Sequence, residues 1–144
     1  MTTPYVIEIK DYSDEWPMLF RELGIRMKEA LGNVAIRIDH IGSTSIAGLA
    51  AKPIIDVQIS VKELDPVDPF RVPLEQIGYI WRKDNPERTK RYFRELPGKR
   101  RTHIHVRKAG SWSEQFALLF RDYLREHLEE QKRYEKVKRE LAMK

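Results

Sequence analysis

The stretch from residue 40 to residue 61 constrains the fold more than any other part of the chain. It reads His40-Ile-Gly-Ser-Thr-Ser-Ile-Ala-Gly-Leu-Ala-Ala-Lys-Pro-Ile-Ile-Asp56-Val-Gln-Ile-Ser-Val61. The flanking apolar residues predict two strands, Val34 to Ile38 and Ile54 to Val61, which meet at a polar joint. Backbone N–H groups and hydroxyls at such a joint can hold an anion. The spacing of Gly42 and Gly48 fits neither a P-loop nor a dinucleotide-binding glycine motif.

Length and composition set the class of protein. A chain of 144 residues suits a single domain, 1–144, with one core. Its content of 41% hydrophobic and 34% charged residues predicts a globular protein with a charged surface. No apolar run approaches the roughly 18 residues of a membrane span, and the N-terminus has no signal-peptide pattern. The absence of cysteine excludes disulfides and Cys-ligated zinc, and we expect a cytoplasmic protein.

Positive charge is concentrated in the middle of the chain. Residues 82–108 contain eleven Lys or Arg and three Asp or Glu, a local charge of +8, whereas the whole chain carries +5. A basic segment of this kind predicts an anionic partner, either a nucleotide, a phosphorylated metabolite or RNA. The alternative is a charged hairpin whose side chains are simply solvated.

The N-terminal half is predicted to contain an edge strand and two helices. Val6 to Ile9 is typical of a short edge strand. Ser13 or Asp14 can cap a helix whose apolar residues recur at helical spacing, and Gly32 ends it. A cluster of prolines leads into a short helix over Val72 to Ile77.

The C-terminal half is predicted to form a strand, a hairpin and two helices. Tyr79 to Trp81 is a short strand, and Arg91 to Leu96 and Arg101 to Arg107 form a β-hairpin. In its second arm Thr102, Ile104 and Val106 face the core, and Arg101, His103, His105 and Arg107 share the other face. Ser111 and Glu114 form a capping box. It opens a helix with apolar positions Phe116, Leu119, Phe120, Tyr123 and Leu124, and a last helix runs from about Leu128 to Ala142.

The first constellation that can carry chemistry pairs hydroxyls with a carboxylate. Phosphoryl and nucleotidyl transfer need donors for the phosphates and carboxylates that hold a divalent cation. Ser43, Thr44 and Ser45 can supply the donors, and Asp56 can supply one metal ligand. The alternative is that Ser43 and Thr44 cap a turn and Asp56 pairs with a basic neighbour.

The second constellation is a set of histidines. His103 and His105 share one strand face, and His40 lies beside the loop. If the hairpin packs beside the second strand, these residues converge with Asp56, where they can bind a divalent metal or transfer protons. The alternative is that the His-x-His pair is a satisfied polar face.

Two further sets are basic. The guanidinium group of arginine can donate two parallel hydrogen bonds to a phosphate. Aromatic rings between the arginines can stack on a base, although aromatic residues in such positions are more often part of the core. On the first C-terminal helix, Arg121 and Arg125 lie one turn apart and can face the polar side of the sheet. The basic residues of the central set are Lys52, Arg91, Arg94, Arg101 and Arg107, interleaved with Trp81, Tyr92 and Phe93.

Taken in order, the motifs of the whole chain resemble the GrpB family, which is related to the nucleotidyltransferase fold. They are Tyr12-Ser-Asp-Glu-Trp16-Pro17, His40-Ile-Gly-Ser-Thr-Ser45, Gly48-Leu-Ala-Ala-Lys-Pro-Ile-Ile-Asp56, Gly78-Tyr79, His103-Ile-His105-Val, Phe120-Arg-Asp-Tyr-Leu-Arg125, and Tyr134 with Lys138. The resemblance implies an α/β (α+β) fold with a mixed, mostly antiparallel sheet flanked by helices. A related domain fused to dephospho-coenzyme A kinases associates the family with nucleotide-containing molecules.

By likeness to nucleotidyltransferases, Gly42 and Ser43 would lie at a triphosphate and Asp56 at a metal. Those enzymes carry a second acid two residues after the first, whereas this chain has Asp56-Val-Gln58. An amide binds Mg²⁺ less strongly than a carboxylate. At the place of a third acid the chain offers His103 or His105, and imidazole suits other metals better than magnesium.

These observations lead to one expected site with two uses. We expect the partner to be a nucleotide or other phosphorylated small molecule. The first use is a metal-dependent nucleotidyl transfer, for which a nucleoside triphosphate and Mg²⁺, Mn²⁺ or Zn²⁺ are the candidate cofactors. The alternatives are a non-catalytic module for an anionic ligand and, less strongly supported, an RNA-binding protein. The site residues are Asp56 and His105 for catalysis; Gly42, Ser43, Thr44, Lys52 and Arg91 for phosphate; and Asp56, His103 and His105 for metal.

Overall fold

The computed structural model of the chain describes residues 8–142. Val6 and Ile7, the first half of the predicted edge strand, lie outside these residues. Residues 8 and 9 are not in a strand, and the next residue, Lys10, forms an isolated antiparallel bridge with Ala51, with backbone N···O distances of 2.8 and 2.9 Å. The chain before the first helix is therefore tied to the connection that precedes the second strand.

Four α-helices and five strands make up the fold. In chain order they are α1 (Glu15–Leu31), β1 (Arg37–Ile41), β2 (Ile55–Val61), α2 (Asp68–Gln76), β3 (Tyr79–Trp81), β4 (Lys90–Glu95), β5 (Thr102–Lys108), α3 (Trp112–Glu126) and α4 (Leu128–Ala142). The strands form one sheet in the order β1-β2-β5-β4-β3. Only the central pair, β2 and β5, is parallel among the described strands, so the predicted mixed, mostly antiparallel sheet is confirmed.

The parallel pair sets the geometry of the polar face. In the β2–β5 register, Asp56 lies beside His103 and Gln58 lies beside His105. Because side chains alternate along a strand, these four residues share one face of the sheet. The predicted placement of the hairpin beside the second strand is correct.

The opposite face of the sheet carries the core. Val57 and Ile59 of β2 and Ile104 and Val106 of β5 are fully buried there, together with Phe93 of β4. The helices α1 and α2 cover this face with Trp16, Met27, Leu31, Phe70 and Leu74. Burying each large apolar side chain contributes about 1.5–3 kcal/mol, so this face holds the sheet and the two helices together.

Two predicted boundaries move for identifiable reasons. The first strand was expected at Val34 to Ile38, but a 3₁₀ turn over Gly32–Val34 delays β1 to Arg37–Ile41. The short helix was expected from Val72 and begins at Asp68, because a proline in the first turn of a helix lacks only an N–H that would have no partner there. Both shifts place more of the chain in regular structure than the glycine and proline positions predict.

Helix α3 presents its polar side to the sheet. Its buried residues include Glu114, Leu118 and Leu124, whereas Phe116 and Leu119 are 54% and 62% exposed. The physical reason is that α3 lies on the polar face of the sheet, where Gln58 Nε2 donates to the Glu114 carbonyl oxygen at 3.4 Å. The predicted N-cap is confirmed, since the Ser111 side chain accepts from the Glu114 N–H, but the Glu114 carboxylate accepts from the Gly110 N–H and not from that of Ser111.

A second, smaller apolar cluster joins α3 and α4 to the connection between β1 and β2. Ile46 and Leu49 from the connection are buried against Leu124, and Tyr134 of α4 packs on them. Helix α4 is thereby held over the predicted anion-binding loop. Within residues 8–142, no helix is long and apolar enough to cross a membrane.

Candidate functional site

The loop after β1 is built on a glycine. Gly42 has a φ of +74°, a backbone conformation that side chains with a Cβ disfavour, and a 3₁₀ turn over Ser43–Ser45 follows it. Ser45 Oγ donates to the Gly42 carbonyl oxygen at 2.5 Å, and Thr44 Oγ1 donates to the Ile54 carbonyl oxygen at 3.1 Å. The turn is therefore fixed to the start of β2, and Ser43 remains partly exposed.

Gly42 lies directly against the carboxylate of Asp56. A Cβ atom built on Gly42 would stand 2.5 Å from Asp56 Oδ2 and 2.9 Å from Asp56 Cβ. Only a residue without a side chain allows this approach. The glycine of the loop and the acid of the strand thus form one surface, as the resemblance implied for Gly42 and Asp56.

Asp56 is an ionised carboxylate between two histidines. Its Oδ1 atom lies 3.0 Å from His105 Nε2 and 3.6 Å from His103 Nδ1. Burial favours the neutral acid, but hydrogen bonds and charge from His103 and His105 outweigh it and lower the pKa of Asp56 to about 2. The sequence-based convergence of these three residues is therefore present.

His105 has a partner on each ring nitrogen. Its Nε2 atom faces Asp56, and its Nδ1 atom lies 3.0 Å from Lys90 Nζ. The pKa of His105 is lowered because the effect of burial is larger than the opposing effect of Asp56. Tyr92 packs against both histidines, with ring centroids 5.4 Å from His105 and 5.5 Å from His103. Burial raises the pKa of Tyr92 to about 12, so its phenol is neutral.

A lysine from the last helix completes the site. Lys138 Nζ donates to Ser43 Oγ at 2.7 Å, across 95 residues of sequence. Burial and the nearby charge of Lys52 lower the pKa of Lys138, while Asp56 opposes that shift. Sequence reasoning left Lys138 out of the site, and the signal that pointed to it was its place, with Tyr134, among the motifs of the resemblance.

Gln58, which replaces the expected second acid, is fully committed to structure. It is completely buried, and its Oε1 atom accepts from Arg107 Nη1 at 2.8 Å while its amide donates to α3. The amide oxygen therefore points to a guanidinium that occupies the space beside it. Gln58 is a hydrogen-bonding bridge between β5 and α3 in this arrangement.

Two residues of the predicted site are buried in the scaffold. His40 pairs with Val57 in the β1–β2 register and so lies on the core face, where its ring stacks on Phe20 at 4.8 Å. The expectation that His40 converges with Asp56 is wrong, because alternation along β1 puts His40 on the same face as Ile38, which packs on the core. Thr44 is 1% exposed, and its hydroxyl contacts both His40 Nε2 and the Ile54 carbonyl, so it fixes the loop.

Arg91 lies on the other side of the sheet. It pairs with Val106 in the β4–β5 register, and its Nη2 atom lies 2.9 Å from Asp65 Oδ2. The prediction that Arg91 holds phosphate together with Ser43 does not match this position, because alternation along β4 gives that face to Lys90 and Tyr92 instead.

The two arginines of α3 face the sheet as predicted, but both donate to backbone oxygens, and Arg121 also pairs locally with Asp122, with Nε 3.0 Å from Oδ1. Arg121 Nη1 donates to the His40 carbonyl oxygen at 3.2 Å, and Arg125 Nε donates to the Ser45 carbonyl oxygen at 3.0 Å. Arg121 thus anchors the helix to the end of β1, and Arg125 anchors it to the last residue of the 3₁₀ turn.

The predicted metal set does not fit a metal ion as it is arranged. Among residues 8–142, no group of three or more His, Cys, Asp or Glu side chains has a ligand arrangement. A metal-bound imidazole nitrogen must carry no proton, and His105 already gives Nε2 to the Asp56 carboxylate and Nδ1 to Lys90. His105 is therefore committed on both nitrogens, and His103 contributes its Nδ1 atom to Asp56 at 3.6 Å.

The family model described as "GrpB protein" matches residues 6–144 of the chain. The chain belongs to the GrpB family. This GrpB-family protein is 40% identical over 136 residues to the UPF0157 protein YqkA of Bacillus subtilis, and 35% identical over 136 residues to the UPF0157 protein BH1888 of Halalkalibacterium halodurans. Both matches include 94% of this chain, together with 40% of YqkA and 69% of BH1888. The chain therefore spans less than half the length of YqkA.

A further group of relatives carries a different name. Over 135 residues, 76% of the chain and 33% of the relative, the protein is 34% identical to a dephospho-CoA kinase of Mycobacterium tuberculosis. The GrpB-like part is thus one third of that longer protein.

Solved structures agree on the fold. The crystal structure of the conserved protein GrpB from Enterococcus faecalis matches with a TM-score of 0.86 and 35% identity, over 94% of this chain and 83% of that one. The Cid1 poly(U) polymerase matches with a TM-score of 0.55 and 13% identity, over 81% of this chain and 38% of that one. The GrpB-family protein therefore has a nucleotidyltransferase-like fold.

Proposed function

We propose that the surface formed by Gly42, Ser43, Lys52, Asp56 and Lys138 binds a phosphorylated small molecule, with a nucleotide as the first candidate. The observation that carries this proposal is the 2.7 Å contact between Lys138 Nζ and Ser43 Oγ. An ammonium group and a hydroxyl at this distance offer a phosphate oxygen two adjacent donors. Lys52 adds a second positive charge nearby.

The loop supports this use because its other polar groups are already committed. Thr44, Ser45 and the two arginines of α3 fix the turn by hydrogen bonds to backbone oxygens. A phosphate site benefits from such a rigid frame, because little ordering cost remains when the ligand arrives. Ser43 is left as the hydroxyl that faces the basic side chains.

Binding is tested by titrating ATP, ADP, tripolyphosphate and dephospho-coenzyme A into the protein and measuring heat and thermal stabilisation. Dephospho-coenzyme A belongs in the panel because some relatives are named dephospho-CoA kinases. We expect Lys138→Ala to weaken binding by about ten-fold or more, the effect of losing one charged hydrogen bond. The matched control is Lys136→Ala, an exposed lysine on the same helix.

The expected result is a loss in Lys138→Ala that is absent in Lys136→Ala. Arg91→Ala should also leave binding unchanged, because Arg91 lies on the other face of the sheet. Equal losses in the Lys136 and Lys138 variants would mean that the ligand responds to overall charge, and the proposed site would be rejected.

A second candidate function is nucleotidyl transfer to a small acceptor. The observation in its favour is that Asp56, held ionised beside His105, shares the polar face with the proposed phosphate donors. The commitment of Gln58 to Arg107 argues for binding without transfer, and binding is therefore the first proposal. Release of pyrophosphate from a nucleoside triphosphate by the wild type, lost in Asp56→Asn, would support transfer.

RNA is a third and weaker proposal, which rests on the basic segment over residues 82–108. Filter retention of a short single-stranded RNA should then fall steeply with salt concentration. Retention that Lys138→Ala leaves unchanged would separate it from the small-molecule site.

A further inference from the structure

We infer that Lys90 fixes the proton of His105 on Nε2, and that the site therefore holds its phosphorylated ligand without a divalent metal. The part of this inference that concerns the ligand rests on the proposed function. The part that concerns metal and proton position stands on the hydrogen bonds of Lys90, His105 and Asp56 alone.

The position of the His105 proton follows from its neighbours. The ammonium group of Lys90 can only donate, so His105 Nδ1, 3.0 Å away, must accept and carries no proton. The proton of the neutral ring is then on Nε2, where it points to Asp56 Oδ1 at 3.0 Å. Donor and acceptor alternate from Lys90 through His105 to Asp56.

A metal at this place would reverse that order. Coordination through His105 Nε2 would move the ring proton to Nδ1, where it would face the Lys90 ammonium, donor against donor. Lys90 is held in place by a second contact, 3.2 Å from Glu87 Oε2, and its side chain is 14% exposed. The metal would therefore have to displace a partly buried ammonium group.

The neighbouring position on β2 excludes a second ligand in the same way. Gln58 gives its oxygen to Arg107 at 2.8 Å, and the pair is partly buried. Freeing that oxygen for a metal would leave a partly buried guanidinium without its acceptor, which is unfavourable.

The charges around Asp56 also favour an anion over a cation. Four basic side chains, Lys52, Lys90, Arg107 and Lys138, act on Asp56 or on its immediate neighbours. Asp56 opposes them, together with Glu87, 3.2 Å from Lys90, and Glu135, which acts on Lys138. The cluster therefore carries a net positive charge, which attracts phosphate and repels a divalent ion. Its ammonium groups would neutralise the negative charge of the phosphates, as metal ions do in phosphoryl-transfer enzymes.

The first test uses metal alone. Mn²⁺, Mg²⁺ and Zn²⁺ are titrated separately into the wild type and into Asp56→Asn and His103→Gln. His103 is included because its Nε2 atom is buried and has no hydrogen-bond partner within residues 8–142. We expect no heat that depends on Asp56 or His103. Saturable binding of any of the three metals that either variant removes would overturn the inference, whatever the ligand proves to be.

The second test locates the proton. In ¹⁵N-labelled protein at neutral pH, the His105 ring should show a protonated Nε2 and an unprotonated Nδ1, and Lys90→Met should release this preference. Lys83→Met, which changes an exposed lysine of the adjoining loop, should not. A ring protonated on Nδ1 in the wild type would contradict the assigned role of Lys90.

The third test concerns the ligand. ATP and tripolyphosphate should bind in excess EDTA within about two-fold of their affinity in Mg²⁺, a difference below 0.5 kcal/mol. Binding that appears only with Mg²⁺ would overturn the inference and keep the proposed function. If no phosphate compound binds under either condition, the proposed function fails, and the metal and proton tests still decide the rest.

Discussion

Gly42 and Asp56 touch at a point where no side chain fits, since a Cβ atom on Gly42 would stand 2.5 Å from Asp56 Oδ2. We expect Gly42→Ala to displace the Asp56 carboxylate from His105 and to force a methyl group into the left-handed region at φ +74°. The backbone strain alone should cost about 1–2 kcal/mol in the free energy of unfolding. Urea denaturation measures the loss, and ligand titration shows whether binding is lost with it.

The matched control for this substitution is Gly48→Ala. Gly48 also has a positive φ, +85°, but no atom lies within 4 Å of a Cβ built there. It should lose stability through strain and retain ligand binding. If the two variants behave alike in both measurements, the contact between Gly42 and Asp56 is not needed for ligand binding.

His40 should make the protein less stable as the pH falls from 6.5 towards 4. Burial and the charge of Arg125 lower the pKa of His40 from 6.5 to about 4 in the folded state. Between these values the unfolded chain takes up a proton that the folded protein refuses, so stability is complete above 6.5 and falls until about pH 4. The shift corresponds to at most about 3 kcal/mol. Chemical denaturation at a series of pH values measures it.

Replacing His40 with glutamine isolates this contribution. Glutamine keeps a donor for Thr44, which accepts from the His40 ring in the wild type at 2.9 Å, but does not titrate. His105, whose pKa is also lowered by burial, contributes a further loss of stability below pH 6.5 and stays in the variant. We therefore expect a shallower loss of stability in His40→Gln and an unchanged one in the exposed control His127→Gln. A parallel slope in His40→Gln would refute the buried neutral state of His40.

Gln58 should prove more important for folding than for chemistry. Gln58→Leu removes the acceptor of Arg107 at 2.8 Å and the donor to the Glu114 carbonyl, and should cost about 2–3 kcal/mol. Gln58→Glu keeps an acceptor for the guanidinium and should lose less. The free energy of unfolding, measured in urea, ranks the two variants, and the exposed Gln76→Leu serves as the control. The opposite ranking would show that burying a carboxylate at this position costs more than losing the acceptor of Arg107.

The cap of α3 is a local contribution that should be separable from the site. Ser111 Oγ accepts from the Glu114 N–H at 3.3 Å, so Ser111→Ala should lower stability by about 1 kcal/mol without affecting ligand binding. Ser113→Ala, one position inside the first turn, should cost less. Comparable losses would mean that Ser111 does not act as the cap.

Sequence patterns predicted the parts of this fold that depend on local periodicity. The second strand and β5 follow from alternation, and the Thr102, Ile104 and Val106 face is buried as expected. Because His103 and His105 alternate with these residues, their shared face with Asp56 was predictable once β5 was assumed to pair with β2.

Other parts depend on packing that no short window of sequence contains. His40 and Arg91 are not among them, since alternation along β1 and β4 already places them with Ile38 and Phe93 on the core face. Lys138 reaches Ser43 only because α4 packs over the loop, 95 residues away in sequence. The polar inward side of α3 reflects the polar face that it covers, which its own apolar pattern cannot indicate.

The pairing of β2 with β5 places Asp56 beside His103, and α4 then brings Lys138 to Ser43. Both junctions join distant parts of the chain, and such long-range contacts are costly to form early during folding. The complete site therefore exists only in chains that have closed both junctions. Ligand binding would therefore report the fraction of correctly folded molecules in a preparation. A phosphate-bearing resin would retain only these molecules during the purification of variants.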